Sequence, residues 1–275
     1  MHTDPQALCL VNGVPADLLP ADDRGLAYGD GLFETVLVAS GRATLLDRHL
    51  GRLQRGAERL KLDLDIPLIG REITEVAGQL GSGVLKLTVT RGSGPRGYRP
   101  PPSPVPLRII QTGPTPDGVA AQRDGVRLFA CETRLAQQPL LAGIKHLNRL
   151  EQVLARAEWQ DGYHAEGLMC DTAGNLVEGT MSNIFLRMAQ QWVTPDLSVC
   201  GIAGVMREYL IQALHDAGET VTIRHVAMDE LQRCTELFCC NSVIGVWPVV
   251  AVGAEQWAVG AATRKAQNLA AQALG

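Results

Sequence analysis

The lysines of this sequence are few, and one of them lies in a setting that suits covalent chemistry with a carbonyl group. The chain has four, at positions 61, 86, 145 and 265, among 25 lysines and arginines in total. A nucleophilic lysine must be partly unprotonated, and burial or a neighbouring cation lowers its pKa. Lys145 follows the apolar run 140–144 and precedes His146 and Arg149, so it is the candidate nucleophile. The alternative is a surface lysine whose apolar stem packs along Ile144.

Two further features could bind a phosphate group. The segment Gly-Ile-Ala-Gly at 201–204 precedes a predicted helix that ends near Gly218, and the first N–H groups of a helix bind anions. Arg52 lies beside the apolar stripe of another predicted helix, for which Asp47 is the predicted N-cap. Each feature is weak by itself, because many loops contain two glycines and most helical arginines are solvated.

A carboxylate and a polar strand face complete the candidate chemistry. Glu178 lies in an otherwise small and apolar stretch. It could face the ring nitrogen of a bound heterocycle or, as is usual for a glutamate in a strand, face solvent. Residues 84–91 alternate, which predicts a strand with apolar residues on one face and Lys86 on the other. The polar face could line a site or contact water.

The composition is that of an ordinary globular protein. The 275 residues carry a net charge of −4, with 46% hydrophobic and 4% aromatic residues. Nucleic acid is not an expected partner, because there is no basic surplus. No membrane contact is expected either, since no apolar run approaches the roughly 20 residues that span a bilayer. Residues 1–10 lack a basic region, so they do not predict a secretory signal.

Cysteine usage predicts a reducing compartment, and therefore a cytoplasmic protein. Seven cysteines occur at irregular spacing, and none forms a Cys-x-x-Cys pair. A disulfide framework or a zinc site would need a more regular arrangement. We therefore predict no metal site, and the adjacent Cys239 and Cys240 are interpreted as small buried side chains.

Strands and helices are predicted in both halves of the chain, which indicates a mixed α/β (α+β) fold of two domains. The first domain covers residues 1–111 and begins with a strand at 7–11. Residues 112–118, Thr-Gly-Pro-Thr-Pro-Asp-Gly, are the predicted linker. The second domain, 119–275, contains Lys145 and a helix capped by Asn148. The predicted buried stripe of that helix is Leu150, Val153, Leu154 and Ala157.

Five separated motifs resemble those of the class IV aminotransferase family. They occur in the family's order at residues 28–34, 49–53, 178–185, 193–195 and 202–207. Trp192 is a departure, since the family usually has an aliphatic residue there. The resemblance implies the two-domain fold-type IV architecture of D-amino-acid and branched-chain aminotransferases, with pyridoxal 5'-phosphate as cofactor.

The same resemblance implies cofactor contacts residue by residue. Lys145 would bind the cofactor covalently and later act as general base. Glu178 would pair with the pyridine nitrogen and keep it protonated. The phosphate group would be held by residues from three parts of the chain, which are Arg52, Val205 with Met206, and Ser242.

Two more stretches resemble the aminodeoxychorismate lyase branch of that family. They are the lysine segment 141–154 and the loop 91–98, although Pro95 stands where these lyases usually have glycine. The implied substrate, 4-amino-4-deoxychorismate, carries two carboxylates, so its site needs extra cations. The implied substrate-binding residues are Lys86, Arg91, Arg96, Tyr98 and Arg149. Without the resemblance, the arginines of this loop would be interpreted as solvated.

The resemblance thus implies elimination of pyruvate to give 4-aminobenzoate for folate biosynthesis, by a homodimer. The alternative is a D-amino-acid or branched-chain aminotransferase, which would use the same lysine and glutamate. A distant alternative is a non-catalytic binding module. That alternative predicts loss of Lys145, Glu178 or Arg52, and the sequence retains all three.

Overall fold

The computed structural model describes residues 8–275, which form two compact units. Unit 1 contains the described residues up to Thr115 together with Ile144–Asn148. Unit 2 contains Pro116–Gly143 and Arg149–Gly275. Within the described part of the chain, no helix is both long and apolar enough to cross a membrane. The prediction for residues 1–10 and the start of the strand at 7–11 lie largely outside the described residues.

Unit 1 is a six-stranded sheet with two long helices packed on it. Its strands are β1 (Cys9–Val11), β2 (Val14–Pro15), β3 (Gly31–Ala39), β4 (Arg42–Ala43), β5 (Gly83–Thr90) and β6 (Leu107–Gly113). Its helices are α1 (Arg24–Tyr28), α2 (Leu46–Leu60) and α3 (Ile66–Leu80). The strand order is β2-β1-β6-β5-β3-β4, and each neighbouring pair is antiparallel.

Alternation along the strands builds the core of unit 1. In β5 the predicted pattern is confirmed, because Leu85, Leu87 and Val89 are fully buried whereas Lys86 is exposed. The helices contribute residues at helical spacing, including Leu53 of α2, to the same apolar layer.

The segment that carries Lys145 packs with unit 1 because it pairs with β3. The short β4 pairs with the end of β3, and residues 144–148 pair with its beginning. The N–H of Phe33 donates to the carbonyl of Lys145 at 2.9 Å, and the N–H of Leu147 donates to the carbonyl of Gly31 at 3.1 Å. Chain order predicts this segment in the second domain, whereas its hydrogen bonds group it with unit 1.

The first boundary between the units falls within the predicted linker. The chain leaves unit 1 between Thr115 and Pro116. Thr112 and Gly113, the first two residues of the predicted linker 112–118, still belong to β6. The linker and the exact domain bounds stay predictions.

Unit 2 is built on a nine-stranded mixed sheet. Its strands are β7 (Val126–Leu135), β8 (Glu166–Asp171), β9 (Leu176–Gly179), β10 (Asn183–Met188), β11 (Gln191–Pro195), β12 (Val221–Arg224), β13 (Cys234–Asn241), β14 (Gly245–Val252) and β15 (Glu255–Gln256). Its helices are α4 (Val119–Asp124), α5 (Leu150–Arg156), α6 (Val205–Asp216) and α7 (Ala261–Leu274), with a 3-10 helix at Met228–Arg233. The strand order is β12-β11-β10-β13-β14-β7-β8-β9, with β15 beside β14. The predicted mixture of strands and helices in both halves is confirmed.

Three aromatic side chains join adjacent strands in the core of unit 2. The rings of Phe185 in β10 and Phe238 in β13 stack with centroids 4.8 Å apart, and Trp192 in β11 meets Phe238 edge-on at 4.8 Å. All three side chains are fully buried. Large aromatic side chains of this kind contribute much of the apolar burial that holds a sheet together.

Two predicted helix caps are wrong. Asp47 lies inside the first turn of α2, and Leu45, in a left-handed conformation, is the N-cap. Asn148 is not the cap of α5, because Arg149 occupies that position and the amide of Asn148 donates to the carbonyl of Gly29 at 3.2 Å. Asparagine and aspartate signal a helix start only statistically, since the same side chains also bond to other backbone groups.

The predicted buried stripe of α5 is also wrong. Leu150, Val153 and Leu154 are 75%, 60% and 60% exposed, whereas Gln152 and Ala155 are buried. Helical spacing identifies an apolar face but not the surface that covers it. The apolar face of α5 therefore points away from unit 2.

We expect Phe185→Ala to lower the free energy of unfolding by about 3–5 kcal/mol, because it removes a fully buried ring from three adjoining strands. Urea denaturation followed by circular dichroism measures this loss. Ile223→Ala, at a half-exposed position in the same unit, is the comparison variant and should cost about 1 kcal/mol or less. Equal losses of unfolding free energy in the two variants would show that the aromatic cluster stabilises unit 2 no more than a half-exposed side chain does.

Candidate active site

Lys145 lies in unit 1 beside an aromatic ring. Its Nζ is 4.3 Å from the centroid of the Phe33 ring, and Nζ of Lys86 is 5.8 Å from the same centroid. Lys145 is half-buried, whereas Lys86 is exposed. Phe33 pairs with Thr88 on β5, two residues from Lys86, so the strand register brings the second lysine close. The ring of Phe33 therefore gives both ammonium groups a common apolar neighbour.

Glu178 is a buried carboxylate in β9 of unit 2, with 3% of its surface exposed. Its Oε2 accepts the N–H of Ile202 at 2.8 Å, and Nδ2 of Asn183 lies 3.4 Å from the same oxygen. The solvent-facing interpretation of this glutamate is therefore wrong. Its role toward a cofactor stays a prediction.

The start of α6 offers backbone N–H groups to an anion. Gly204 is the N-cap, and as a glycine it offers no side chain of its own to the first N–H groups of the helix. Val205 and Met206 are its first residues, and they are 2% and 0% exposed. The first N–H groups of a helix have no acceptor within the helix, and the helix dipole is positive there. This end of α6 has the chemistry of a phosphate site.

Arg52 is bound to the carboxylate of Glu34, which also contacts His49. Its Nε donates to Oε1 of Glu34 at 2.8 Å, and its Nη2 donates to Oε2 of the same carboxylate. Nδ1 of His49 is 2.6 Å from Oε2. His49, Arg52 and Glu34 are 0%, 5% and 2% exposed, so Arg52 is not the ordinary surface arginine that its helix position alone would suggest.

The secondary structure explains how these three side chains meet. In β3, Glu34 occupies the same face as Leu32, Val36 and Val38, which are fully buried. His49 and Arg52 are three residues apart in α2, so they lie on one face of that helix. A carboxylate in an apolar row needs a cation and hydrogen bonds to remain ionised there.

The environment of Glu34 strongly favours its ionised form. Burial acts to raise the pKa of this carboxyl, but the charge and hydrogen bonds of Arg52, together with His49, outweigh it and lower the pKa to about 2. The pair is therefore ionised throughout the physiological pH range.

The predicted substrate residue Arg91 is engaged elsewhere in unit 1. Its Nε and Nη2 donate to the carboxylate of Asp30 at 2.7 and 2.9 Å, and its other donors bond to the carbonyls of Leu60 and Lys61. Burial acts to raise the pKa of Asp30, but Arg91 and Arg24 outweigh it and lower the pKa. These contacts favour a structural role for Arg91 at the end of β5.

The loop after Arg91 is exposed and is anchored by Arg24. The guanidinium of Arg24 donates to the carbonyls of Gly97 and Tyr98 at 2.9 and 3.0 Å, and it also binds Asp30. Arg96 and Tyr98, two predicted substrate residues, lie on this loop, and Tyr98 is 86% exposed. Their role stays a prediction.

Arg149 and Ser242, the remaining predicted site residues, lie in unit 2. Burial lowers the pKa of the Arg149 guanidinium, while the charge of Glu178 acts in the opposite direction. Ser242 is 9% exposed and follows β13. Asn241 shapes the turn at Ser242, because its Oδ1 accepts the N–H groups of Val243 and Ile244 at 2.9 Å.

Several residues of these networks were not predicted from the sequence. Glu34 and Asp30 lie in the motif 28–34, His49 in the motif 49–53, and Asn183 in the motif 178–185. Their position within a family motif was the sequence signal that could have identified these residues. Their partners could not be inferred, because each pairing joins residues that are distant in the chain or lie on different elements.

Comparison with known proteins identifies the family. The profile that describes the class IV amino-transferases matches residues 31–252, which is most of the chain. The chain belongs to the class IV aminotransferase family. The resemblance and the fold class inferred from the sequence are confirmed.

Individual relatives are similar over nearly the whole length. An aminodeoxychorismate lyase from Vibrio harveyi is 34% identical over 94% of this chain and 97% of its own length. The crystal structure of 4-amino-4-deoxychorismate lyase from Pseudomonas aeruginosa has a TM-score of 0.93 and 52% identity, covering 95% of this chain and 97% of that one. A D-alanine aminotransferase from Bacillus licheniformis is 26% identical over 87% of this chain and 85% of its own length.

We expect Glu34→Gln to lower the free energy of unfolding by on the order of 3 kcal/mol near neutral pH, since it removes the charge that pairs with Arg52. A carboxyl whose pKa falls on folding stabilises the folded state above its unfolded pKa, here 4.5, and this contribution disappears as the pH approaches about 2. The difference between wild type and variant should therefore be constant above about pH 5 and shrink below it. Urea denaturation across this range measures it, and a difference independent of pH would contradict the assignment.

Proposed function

We propose that this chain is an aminodeoxychorismate lyase, which uses pyridoxal 5'-phosphate to eliminate pyruvate from 4-amino-4-deoxychorismate. The other product is 4-aminobenzoate, a precursor in folate biosynthesis. The observation that carries the proposal is the 52% identity, over 95% of the chain, to the Pseudomonas aeruginosa lyase. The relationship to the Vibrio harveyi lyase at 34% identity supports the same activity.

The residues of the chain fit this cofactor in kind and in charge. The fit rests on three features, which are the half-buried Lys145, the buried carboxylate of Glu178 and the N-terminus of α6. When bound, the cofactor supplies an electron sink through its protonated pyridine ring. Glu178 would pair with the ring nitrogen and keep it protonated. In unit 2, Val205, Met206 and Ser242 would hold the phosphate group, and Arg52 of unit 1 stays a predicted contact of the same group.

Lys145 has two successive tasks in the proposed reaction. It would hold the cofactor covalently in the resting enzyme. The amine of Lys145 would also act as general base, removing the proton from the substrate ring carbon next to the amine-bearing carbon. The C–O bond to the enolpyruvyl group breaks, and the substrate ring becomes aromatic. Because no amino group is transferred, the reaction needs no keto acid.

The second carboxylate of the substrate requires a cation beyond those of a simple amino-acid site. Lys86, Arg96 and Arg149 are the predicted residues for it, with Tyr98 on the same loop as Arg96. Lys86 and Arg96 are exposed, and Arg149 is half-buried near the charge of Glu178. Arg91 is the weakest member of the predicted set, because Asp30 and two carbonyl groups occupy its donors.

A D-amino-acid transaminase is the second candidate function. It is favoured by the 26% identity to the D-alanine aminotransferase over 87% of this chain. Such an enzyme would use the same Lys145 and Glu178 but would depend on a keto acid. The two activities therefore differ in their requirement for a keto acid and not in their use of Lys145.

We expect the purified protein, given aminodeoxychorismate made in place by its synthase and no keto acid, to form 4-aminobenzoate and pyruvate in equal amounts. Lys145→Ala should lower the rate by about a thousandfold or more, since it removes the base. Lys61→Asn is the control, because Lys61 is exposed and asparagine tolerates its left-handed conformation. If neither product forms, while a D- or branched-chain amino acid is deaminated with a keto acid present, the transaminase assignment replaces this one.

We also infer that the enzyme is a cytoplasmic homodimer. The apolar face of α5, formed by Leu150, Val153 and Leu154, is exposed in the single chain, and such contiguous patches mark interaction surfaces. A second copy is the occupant that the family resemblance implies. The seven cysteines all lie within the described residues and are free thiols, which fits a reducing compartment.

We expect the double variant Val153→Glu with Leu154→Lys to lower the dimer fraction by at least about tenfold, since it places charges on the apolar face of α5. Analytical ultracentrifugation across a concentration series measures this change. Val119→Lys, at a 70% exposed position on α4 of the same unit, should leave the mass unchanged. A wild-type protein that is monomeric at all concentrations would contradict the dimer.

A further inference from the structure

Asn183 joins the carboxylate of Glu178 to the start of α6. Its Nδ2 donates to the carbonyl of Ile202 at 2.9 Å, and its Oδ1 accepts the N–H of Gly204 at 3.0 Å. The same Nδ2 lies 3.4 Å from Oε2 of Glu178, which in turn accepts the N–H of Ile202. One buried amide thus contacts both the carboxylate and the turn that leads into the helix.

Close contacts around this turn require glycine at positions 201 and 204. A Cβ on Gly204 would lie 2.0 Å from Oδ1 of Asn183. Gly201 has a φ of +81°, and a Cβ there would lie 2.7 Å from Cγ1 of Val177. The turn 201–204 therefore packs directly onto the residues around Glu178, and its glycines serve this packing as well as any ligand.

A second buried carboxylate holds the loop from which Asn183 projects. Glu166 is 1% exposed, and its oxygens accept the N–H groups of Thr180 and Met181 at 3.0 and 3.1 Å and the hydroxyl of Ser182 at 2.7 Å. Residues 180–182 connect β9, which carries Glu178, to β10, which begins at Asn183. These bonds hold the loop 180–182 in place directly before Asn183.

We propose that Asn183 is a positioning residue that keeps Glu178 and the N-terminal turn of α6 at a fixed separation, with Glu166 fixing the loop that carries it. The inference rests on the proposed function, in which Glu178 and the N-terminal turn of α6 bind the pyridine and phosphate ends of one cofactor. These two groups are called the two anchors below. A ligand that spans both anchors gains affinity from their fixed separation, because the protein loses less conformational entropy on binding. A ligand that uses only one anchor gains nothing from it.

The test compares pyridoxal phosphate, which spans both anchors, with pyridoxal, which lacks the phosphate group. The full-length chain is freed of cofactor by dialysis, and the two dissociation constants are measured by the visible absorbance of the bound ligand. In Asn183→Ala the dissociation constant of pyridoxal phosphate should rise by about tenfold or more, and that of pyridoxal by less than about threefold. Gly204→Ala, whose Cβ would displace the Asn183 amide, should shift the two constants in the same pattern.

Asn175→Ala is the matched control, because its amide also donates to a carboxylate in unit 2, that of Asp171 at 3.1 Å. It should leave both dissociation constants unchanged. Equal weakening of both ligands in the Asn183 and Gly204 variants, or no weakening in either variant, would overturn the positioning role. If the wild-type chain binds neither ligand, the proposed function fails, and this inference fails with it.

Discussion

Burial of carboxylates within apolar sheets is the constraint that organises both units. Glu34, Glu166 and Glu178 are 2%, 1% and 3% exposed. A buried carboxylate without partners costs several kcal/mol, so the chain must bring donors to each one. Arg52 and His49 do this for Glu34, whereas backbone N–H groups and hydroxyls do it for Glu166. The positions of α2, the loop 180–182 and the turn before α6 follow from these requirements.

The pairing of residues 144–148 with the beginning of β3 likewise restricts the position of Lys145. Hydrogen bonds between the two backbones fix the lysine segment, and the ring of Phe33 then directs the side chain. A lysine on an exposed loop would sample many rotamers and lose conformational entropy on binding a ligand. A half-buried lysine on a paired segment has already lost part of that freedom.

Ion pairs of unit 1 involve two of the predicted site arginines, Arg52 and Arg91. In unit 1, arginines and carboxylates neutralise each other inside the fold, as in the Arg52–Glu34 pair and in Asp30 with Arg24 and Arg91. These pairs favour a structural role for Arg91, and they leave Lys86 and Arg96 as the exposed cations of the predicted substrate set in unit 1. In unit 2 the helix N-terminus of α6 offers partial positive charge without a side chain.

The sequence by itself determined the fold class, the family and most element positions, because alternation, helical spacing and ordered motifs are local properties of the chain. It also singled out Lys145, whose neighbours in the chain are unusual for a lysine, while the family motif singled out Glu178. Only the tertiary structure decided that α5 exposes its apolar stripe, that residues 144–148 belong with β3, and that Asp30 occupies Arg91. Each of these depends on which distant surface meets a residue, and local periodicity carries no information about that.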